Sequence, residues 1–279
     1  MAHQQQHKNP DIRNVARPSA EFIVGCVVVF VAGASTTAYF CASMGYEMKM
    51  AGDWKMSMMW MRMPGQTWIL AALSFLLMWL AMMVAMMMPS AFLMFLKTRR
   101  HSLSLCYMAS GYFTIWLIAG FGICVLGVEF NDAAMRSEFL SRTVPLLSGT
   151  SLIAAGIFQF TRWKMMHLLR CRSPFGCATS YPQDEASFWL GCKQGVACCV
   201  CCSSLMIIQL ILGIMNPLVM VAVAIVITAE KLLPRPDVTA RFAGITSIVA
   251  GIIMTFHWAT LNHGRKLSLH PSSPGAFVF

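Results

Sequence analysis

Charged side chains are scarce in this sequence. They make up 11% of its 279 residues, whereas soluble domains carry about 25%. Hydrophobic residues account for 57%, and several uninterrupted apolar runs reach the roughly 20 residues that a membrane-spanning helix needs. The lack of charge excludes an ordinary soluble domain and predicts an integral membrane protein, an all-α polytopic transmembrane helical bundle.

Several catalytic signatures are missing. The sequence has no Walker A run, no Asp-Lys-Thr-Gly-Thr phosphorylation motif, no Gly-x-Gly-x-x-Gly run and no Cys-x-x-Cys-His haem-attachment run. These absences argue against an ATP-driven metal pump. Cys198 and Cys201 have Cys-x-x-Cys spacing, but no thioredoxin-like strand pattern surrounds them. We therefore expect no enzyme, and a thiol redox enzyme is the most distant alternative.

Seven apolar segments predict the membrane spans. They are 20–41, 67–96, 105–127, 143–161, 188–215, 218–233 and 238–259. Six would remain if the first were cleaved as a signal peptide after its small residues at 32–34. The predicted organisation is a polar N-terminal arm at 1–19, a transmembrane domain at 20–261 and a polar tail at 262–279.

Basic residues set the expected orientation. Lys and Arg favour the cytoplasmic side of membrane proteins, and the short basic loop 97–104 is the strongest indication of that side here. It predicts a cytoplasmic N-terminus in an inner (plasma) membrane. The net charge of +10 fits a protein beside anionic lipid, so we expect the lipid bilayer as a partner and no nucleic acid.

Methionine is abundant in two neighbouring segments. The predicted outer loop 43–66 holds eight Met, and uncharged thioethers select Cu(I). A copper-collecting loop and an amphipathic stretch lying on the bilayer explain this loop equally well. The next span places Met82, Met83 and Met86 on one helical face with Met87 close by. Met also fills cores adaptably, but so dense a ladder favours a soft-metal path.

Cysteines cluster in the fifth span. Cys198, Cys202 and Met206 recur every fourth residue and form one stripe, with Cys201 beside it. In the predicted inner basic loop 162–187, His167 and Cys171 would share a face if the segment were helical, and copper or zinc suits such a pair. The predicted metal ligands are Cys198, Cys201, Cys202, Met206, Met83, Met86, Met87, Cys171 and His167.

Three further expectations concern packing and charge. The second and fifth spans should pack face to face through the small residues Ala81, Ala85 and Ala197. Cys41 and Cys124 form the one plausible disulfide pair, at the outer ends of their spans. The adjacent pair Glu230 and Lys231 ends the sixth span, where cation binding, proton relay and snorkelling towards the interface all remain open.

These motifs together resemble a known family. They are Trp79-(x)2-Met82-(x)3-Met86-Met87-(x)-Pro89-Ser90, then Gln159-(x)-Thr161-(x)2-Lys164-(x)6-Cys171-Arg172-Ser173-Pro174, then Cys198-(x)2-Cys201-Cys202-(x)2-Leu205-Met206, then Met215-Asn216 and Glu230-Lys231. In this order, over about 67–234, the chain resembles the bacterial family of predicted metal-binding integral membrane proteins of unknown function. It departs from the family pattern at Arg162, His167, Val200 and Ser203, where Pro, Cys, Gly and Trp are usual.

The sequence thus predicts a membrane protein that binds a soft metal, copper as Cu(I), with zinc as the second choice. Its role would be transport across the bilayer or delivery to a membrane cuproenzyme, with that enzyme or a metallochaperone as partner. The alternative is a structural or assembly subunit of a larger membrane complex, in which Met and Cys only pack.

Overall fold

The protein is built of helices. A computed structural model describes residues 20–43, 47–49, 55–57, 67–97, 102–172 and 185–268. Within these residues the helices are α1 Ala20–Ser43, α2 Trp68–Lys97, α3 Ser102–Arg136, α4 Glu138–Phe158, α5 Arg162–Arg172, α6 Glu185–Gly213, α7 Pro217–Leu232 and α8 Pro236–Ser268. Two short strands, β1 Glu47–Lys49 and β2 Lys55–Ser57, pair antiparallel between α1 and α2. The predicted all-α class is confirmed.

Fewer helices than expected could cross a membrane. Five of the described helices, α1, α2, α3, α6 and α8, are long and apolar enough. A sixth span arises if α4 and α5, which meet at a 65° bend, are counted as one. Helix α7 has 16 residues, about 24 Å at the usual rise per residue, which falls short of the roughly 30 Å hydrocarbon core. The expectation of about seven spans is therefore not confirmed.

The link between α6 and α7 is a tight turn. Gly213 ends α6 with a φ of 116°, a left-handed conformation that glycine adopts without penalty. The Asn216 side chain accepts hydrogen bonds from the backbone N–H groups of Leu218 and Val219, and Pro217 opens α7. This N-cap and proline turn the chain back sharply, so α7 lies beside α6.

Two pairs of helices make the most extensive contacts. Helices α3 and α6 run parallel, since Met108 meets Gly191 and Ile115 meets Gly195. Helices α4 and α8 run antiparallel, since Gly149 meets Gly251 and Gly156 meets Gly244. Small residues at both crossings let the backbones approach closely. The main buried cluster draws most of its residues from α2, α3 and α6, with further residues from α4, α5, α7 and α8.

Two expectations about contacts are corrected by the structure. Helices α2 and α6 do not pack closely together through Ala81, Ala85 and Ala197, because α3 and α7 pack against both of them. Cys41 and Cys124 are free thiols, so the predicted disulfide is wrong. The first part of the predicted inner loop 162–187 is helix α5. The methionines of the outer loop 43–66 lie outside the residues whose side chains are described.

Candidate metal centre

Three cysteine sulfurs converge in the buried core. The Sγ atoms of Cys171, Cys198 and Cys201 all lie within 4.8 Å of one another, and all three residues are buried. Cys171 comes from α5 and the other two come from α6, with 3.5 Å between Cys171 Sγ and Cys201 Sγ. The Sγ atom of Cys202 lies 3.6 Å from that of Cys201 and 3.9 Å from that of Cys198. Two helices therefore present four thiols to one small volume.

The bend between α4 and α5 brings Cys171 to this group. The chain turns by 65° at 159–161 and lays α5 against α6. The Gln194 side chain on α6 donates a hydrogen bond to the Cys171 carbonyl oxygen at 3.0 Å. This contact fixes the backbone of α5 opposite the cysteine stripe of α6.

The ammonium of Lys231 points into the group. Its Nζ atom donates to Cys198 Sγ at 3.0 Å, to Ser90 Oγ at 3.2 Å and to Met87 Sδ at 3.7 Å. An ammonium carries three N–H donors, and here each has an acceptor. Lys231 does not snorkel outward, and its positive charge offsets the cost of an ionised thiol in the core.

Tyr112 on α3 makes a second polar contact with the same sulfur. Its hydroxyl lies 2.9 Å from Cys198 Sγ and both side chains are buried. The contact requires the close crossing of α3 and α6, where a Cβ on Gly111 or Gly191 would overlap a backbone carbonyl oxygen of the other helix. Cys198 Sγ is therefore surrounded by a hydroxyl, an ammonium and other thiols.

A buried ion pair joins α5 to α7 beside the cysteines. Lys164 Nζ lies 2.7 Å from Glu230 Oε1, and each side chain is 1% exposed. Arg172 donates to the Glu230 backbone carbonyl oxygen at 2.9 Å. Because Arg172 follows Cys171 and Glu230 precedes Lys231, these two contacts set the positions of the Cys171 thiol and the Lys231 ammonium together.

The predicted methionines lie in the same core. Met83 and Met87 are fully buried, and Met86 and Met206 nearly so. All four belong to the buried cluster that contains Cys171, Cys198, Cys201 and Cys202. Met87 approaches the cysteines most directly, through the Lys231 ammonium that both it and Cys198 contact. The methionine stripe of α2 and the cysteine stripe of α6 are thus joined by the Lys231 side chain and not by direct packing of the two helices.

His167 does not join the thiols. The group of potential ligands among the described residues comprises Cys171, Cys198 and Cys201 without it. Its ring packs edge-on against Trp163 with 4.7 Å between ring centroids. The i, i+4 spacing places His167 one turn before Cys171 on α5. Of these two residues, only Cys171 lies close to the cysteines of α6.

Sequence reasoning missed Tyr112, and it named Ser90, Lys164 and Lys231 without assigning them to this site. Their signal was present, because polar and ionisable side chains inside apolar helices are functional candidates by default. The complete arrangement offers thiol and thioether sulfurs, the soft ligands that select Cu(I), zinc and iron–sulfur clusters among biological metals, in a buried setting.

The comparisons with known proteins agree with this chemistry. A family model, PpoB2, described as copper chaperone, matches residues 76–254, which is more than half of the chain and includes every residue of the cysteine group. No curated protein and no solved structure matches the sequence. The resemblance to a metal-related family is confirmed at that level. The chain belongs to the PpoB2 family of copper chaperones.

Proposed function

We propose that the protein is a membrane-embedded copper chaperone that holds Cu(I) at Cys171, Cys198 and Cys201, and passes it to a membrane cuproenzyme. The observation that carries the proposal is the convergence of three buried thiol sulfurs from two helices within 4.8 Å. Cys202, whose sulfur lies next to this group, can replace or add one ligand as copper arrives or leaves.

The sulfur chemistry favours Cu(I) over zinc. Structural zinc is bound by Cys, His and carboxylate ligands in a closed tetrahedral site. Here a methionine sulfur, Met87 Sδ, stands across the Lys231 ammonium from Cys198, and thioethers are soft ligands that suit Cu(I). His167 stays apart from the thiols, so the site lacks the His ligand of the Cys₃His and Cys₂His₂ zinc sets.

Placement in a bilayer supports delivery to a membrane partner. Five described helices are long and apolar enough to cross a membrane, and many of their outward-facing side chains are large and hydrophobic, including Val28, Leu77 and Ile253. Copper held in the buried core of such helices is passed most directly to an acceptor in the same membrane. We infer a cytoplasmic N-terminus and a bacterial inner membrane from the basic loops.

A packing-only role, as in a structural subunit, fits the polar contacts poorly. A desolvated ion costs several kcal/mol even after relaxation, and hydrocarbon side chains would fill the same space without that cost. The core nevertheless holds Lys164, Glu230 and the Lys231 ammonium next to the thiols. The Lys231 ammonium stabilises an ionised Cys198 thiol, which is the form that binds a metal, so a metal-binding function explains why this charge is retained there.

Copper stoichiometry of the purified protein tests the proposal. The detergent-solubilised full chain, loaded anaerobically with Cu(I), should bind about one ion per chain and release it to a strong Cu(I) chelator. Cys198→Ser and Cys201→Ser should each lose this ion. Cys199→Ser is the matched control, because Cys199 is the neighbour of Cys198 but lies outside the thiol group, and it should bind copper normally. A wild-type protein that binds no Cu(I) would overturn the proposal.

Reconstitution separates delivery from transport. Liposomes containing the protein should take up copper only in proportion to the protein present, because a chaperone binds its cargo without turnover. Continued Cu(I) accumulation in the lumen, abolished by Cys198→Ser, would instead establish a transporter.

A further inference from the structure

The Lys231 ammonium stands between two sulfurs that come from different helices. Met87 Sδ on α2 lies 3.7 Å from Nζ, and Cys198 Sγ on α6 lies 3.0 Å from it. Ser90 Oγ, one turn after Met87, is the third acceptor at 3.2 Å. The Lys231 ammonium, which carries one positive charge, is thus held by a thioether, a thiol and a hydroxyl.

The distances from Nζ to the two sulfurs are somewhat longer than the bonds that a soft metal would make to them. A metal–sulfur bond is about 2.3 Å long, so to bind a metal at the place of Nζ the Cys198 Sγ atom would move inward by about 0.7 Å and the Met87 Sδ atom by about 1.4 Å. Met87 can do so easily, because methionine has three rotatable bonds and adapts its position. Cys202 Sγ, 3.9 Å from Cys198 Sγ, is a further thiol next to the same point.

We propose that the Lys231 ammonium occupies a second, latent copper position between Met87 and Cys198, and that copper moves between the cysteine group and the methionines of α2 through this position when the ammonium leaves it. The inference rests on the proposed function, since it takes the cysteine group as the resting copper site. Ammonium and Cu(I) both carry one positive charge, so they cannot occupy the point between Met87 and Cys198 at the same time.

Two consequences follow from this exclusion. While the ammonium is in place, the protein holds one copper, at Cys171, Cys198 and Cys201. When the ammonium is absent, Met87 and Cys202 can bind a second copper, with the Cys198 sulfur bridging the two ions. Lys231 therefore limits the copper content of the site and controls exchange with the methionine side.

A gain of copper tests the inference. Lys231→Met replaces the ammonium by a thioether of similar length, and it should raise the Cu(I) content from about one to about two per chain. Lys231→Arg keeps the charge and should stay at about one. Lys193→Met is the matched control, because Lys193 lies on α6 near Cys198 but is exposed, and its copper content should equal that of the wild type. A Lys231→Met protein that holds the same copper content as the wild type would overturn the inference.

A second variant leaves the fold intact and reports on the exchange path. Met87→Leu is close to volume-conserving and is tolerated in cores. It should retain one copper at the cysteine group but release it to a chelator about tenfold more slowly, an effect of 1.4 kcal/mol on the barrier. Release within twofold of the wild-type rate would show that copper does not pass Met87 and would overturn the path.

The two proposals fail in different ways. A wild-type chain without bound Cu(I) removes the chaperone function itself. A wild-type chain with one copper, together with a Lys231→Met variant that also holds one, leaves the chaperone function standing and removes only the latent position.

Discussion

Two helix crossings in this protein, α3 with α6 and α4 with α8, both depend on glycines, but only the first forms part of the cysteine site. Glycines let α3 approach α6 and let α4 approach α8, so that an added Cβ at Gly191 or Gly251 would overlap a carbonyl oxygen of the opposing helix. At the first crossing, Tyr112 reaches the sulfur of Cys198. At the second, the buried polar contact is a Ser247 hydroxyl that donates to the Leu152 carbonyl oxygen at 2.8 Å.

The difference separates a functional pair from a supporting one. The α3–α6 crossing sets the distance between the Tyr112 hydroxyl and the Cys198 sulfur. At the α4–α8 crossing the Ser247 hydroxyl donates to a backbone carbonyl oxygen, and neither helix carries a thiol of the cysteine group. Helix α4 affects the site only through its bend into α5, which carries Cys171. Substitutions that cost the two crossings similar stability should therefore differ in their effect on copper.

The largest effect is expected at the Lys164–Glu230 ion pair between α5 and α7. Glu230→Met leaves the buried Lys164 charge without its partner, which should destabilise the protein by about 3–5 kcal/mol and weaken the contact between α5 and α7, although the Arg172 hydrogen bond to the backbone carbonyl of residue 230 remains. The double variant Lys164→Met with Glu230→Met removes both charges and should recover most of that stability. Thermal unfolding in detergent measures both. A double variant as unstable as the single one would show that packing, and not the unpaired charge, is responsible.

The crossings themselves can be compared by adding one methyl group to each. Gly191→Ala and Gly251→Ala should each cost about 1–3 kcal/mol, because overpacking forces the helices apart. Gly191→Ala should also weaken Cu(I) binding, since it shifts α6 relative to Tyr112, whereas Gly251→Ala should bind copper as the wild type does. Competition with a Cu(I) chelator gives the affinities. Equal losses of copper affinity in both variants would contradict the separation of roles.

Smaller changes come from the two polar contacts. Tyr112→Phe removes the hydroxyl next to Cys198 Sγ and should cost about 1 kcal/mol in copper binding, a few-fold to tenfold in affinity. Ser247→Ala should cost a similar amount of stability, measured by unfolding, with no change in copper affinity. The comparison fails if Ser247→Ala weakens copper binding as much as Tyr112→Phe does.

The smallest effect is expected at a glycine away from both crossings. Gly122 lies within α3, and an added Cβ there meets nothing within 4 Å. Gly122→Ala should leave copper binding unchanged and stabilise the helix by up to about 1 kcal/mol, because alanine has the higher helix propensity. A loss of stability would show that the outer face of α3 has a partner close to this residue.

The sequence revealed much of the ligand chemistry but not its arrangement. The spacing of Cys198 and Cys202 and the ladder that includes Met83 and Met87 predicted two sulfur faces, and both are buried in one core. The expected direct contact between α2 and α6 was wrong, because helical spacing defines a face without defining its partner. The Lys231 ammonium, which joins the two faces, comes from a third helix far along the chain.

What the sequence determined by itself is local. The scarcity of charge and the length of the apolar runs determine that the chain forms long apolar helices. The i, i+4 recurrence determines which sulfurs share a helical face. Only the tertiary structure decided that Cys171 completes the group while His167 does not, and that Lys231 turns inward. These outcomes depend on the rotation and distance between helices, which the glycine crossings and the 65° bend set through contacts between residues remote in sequence.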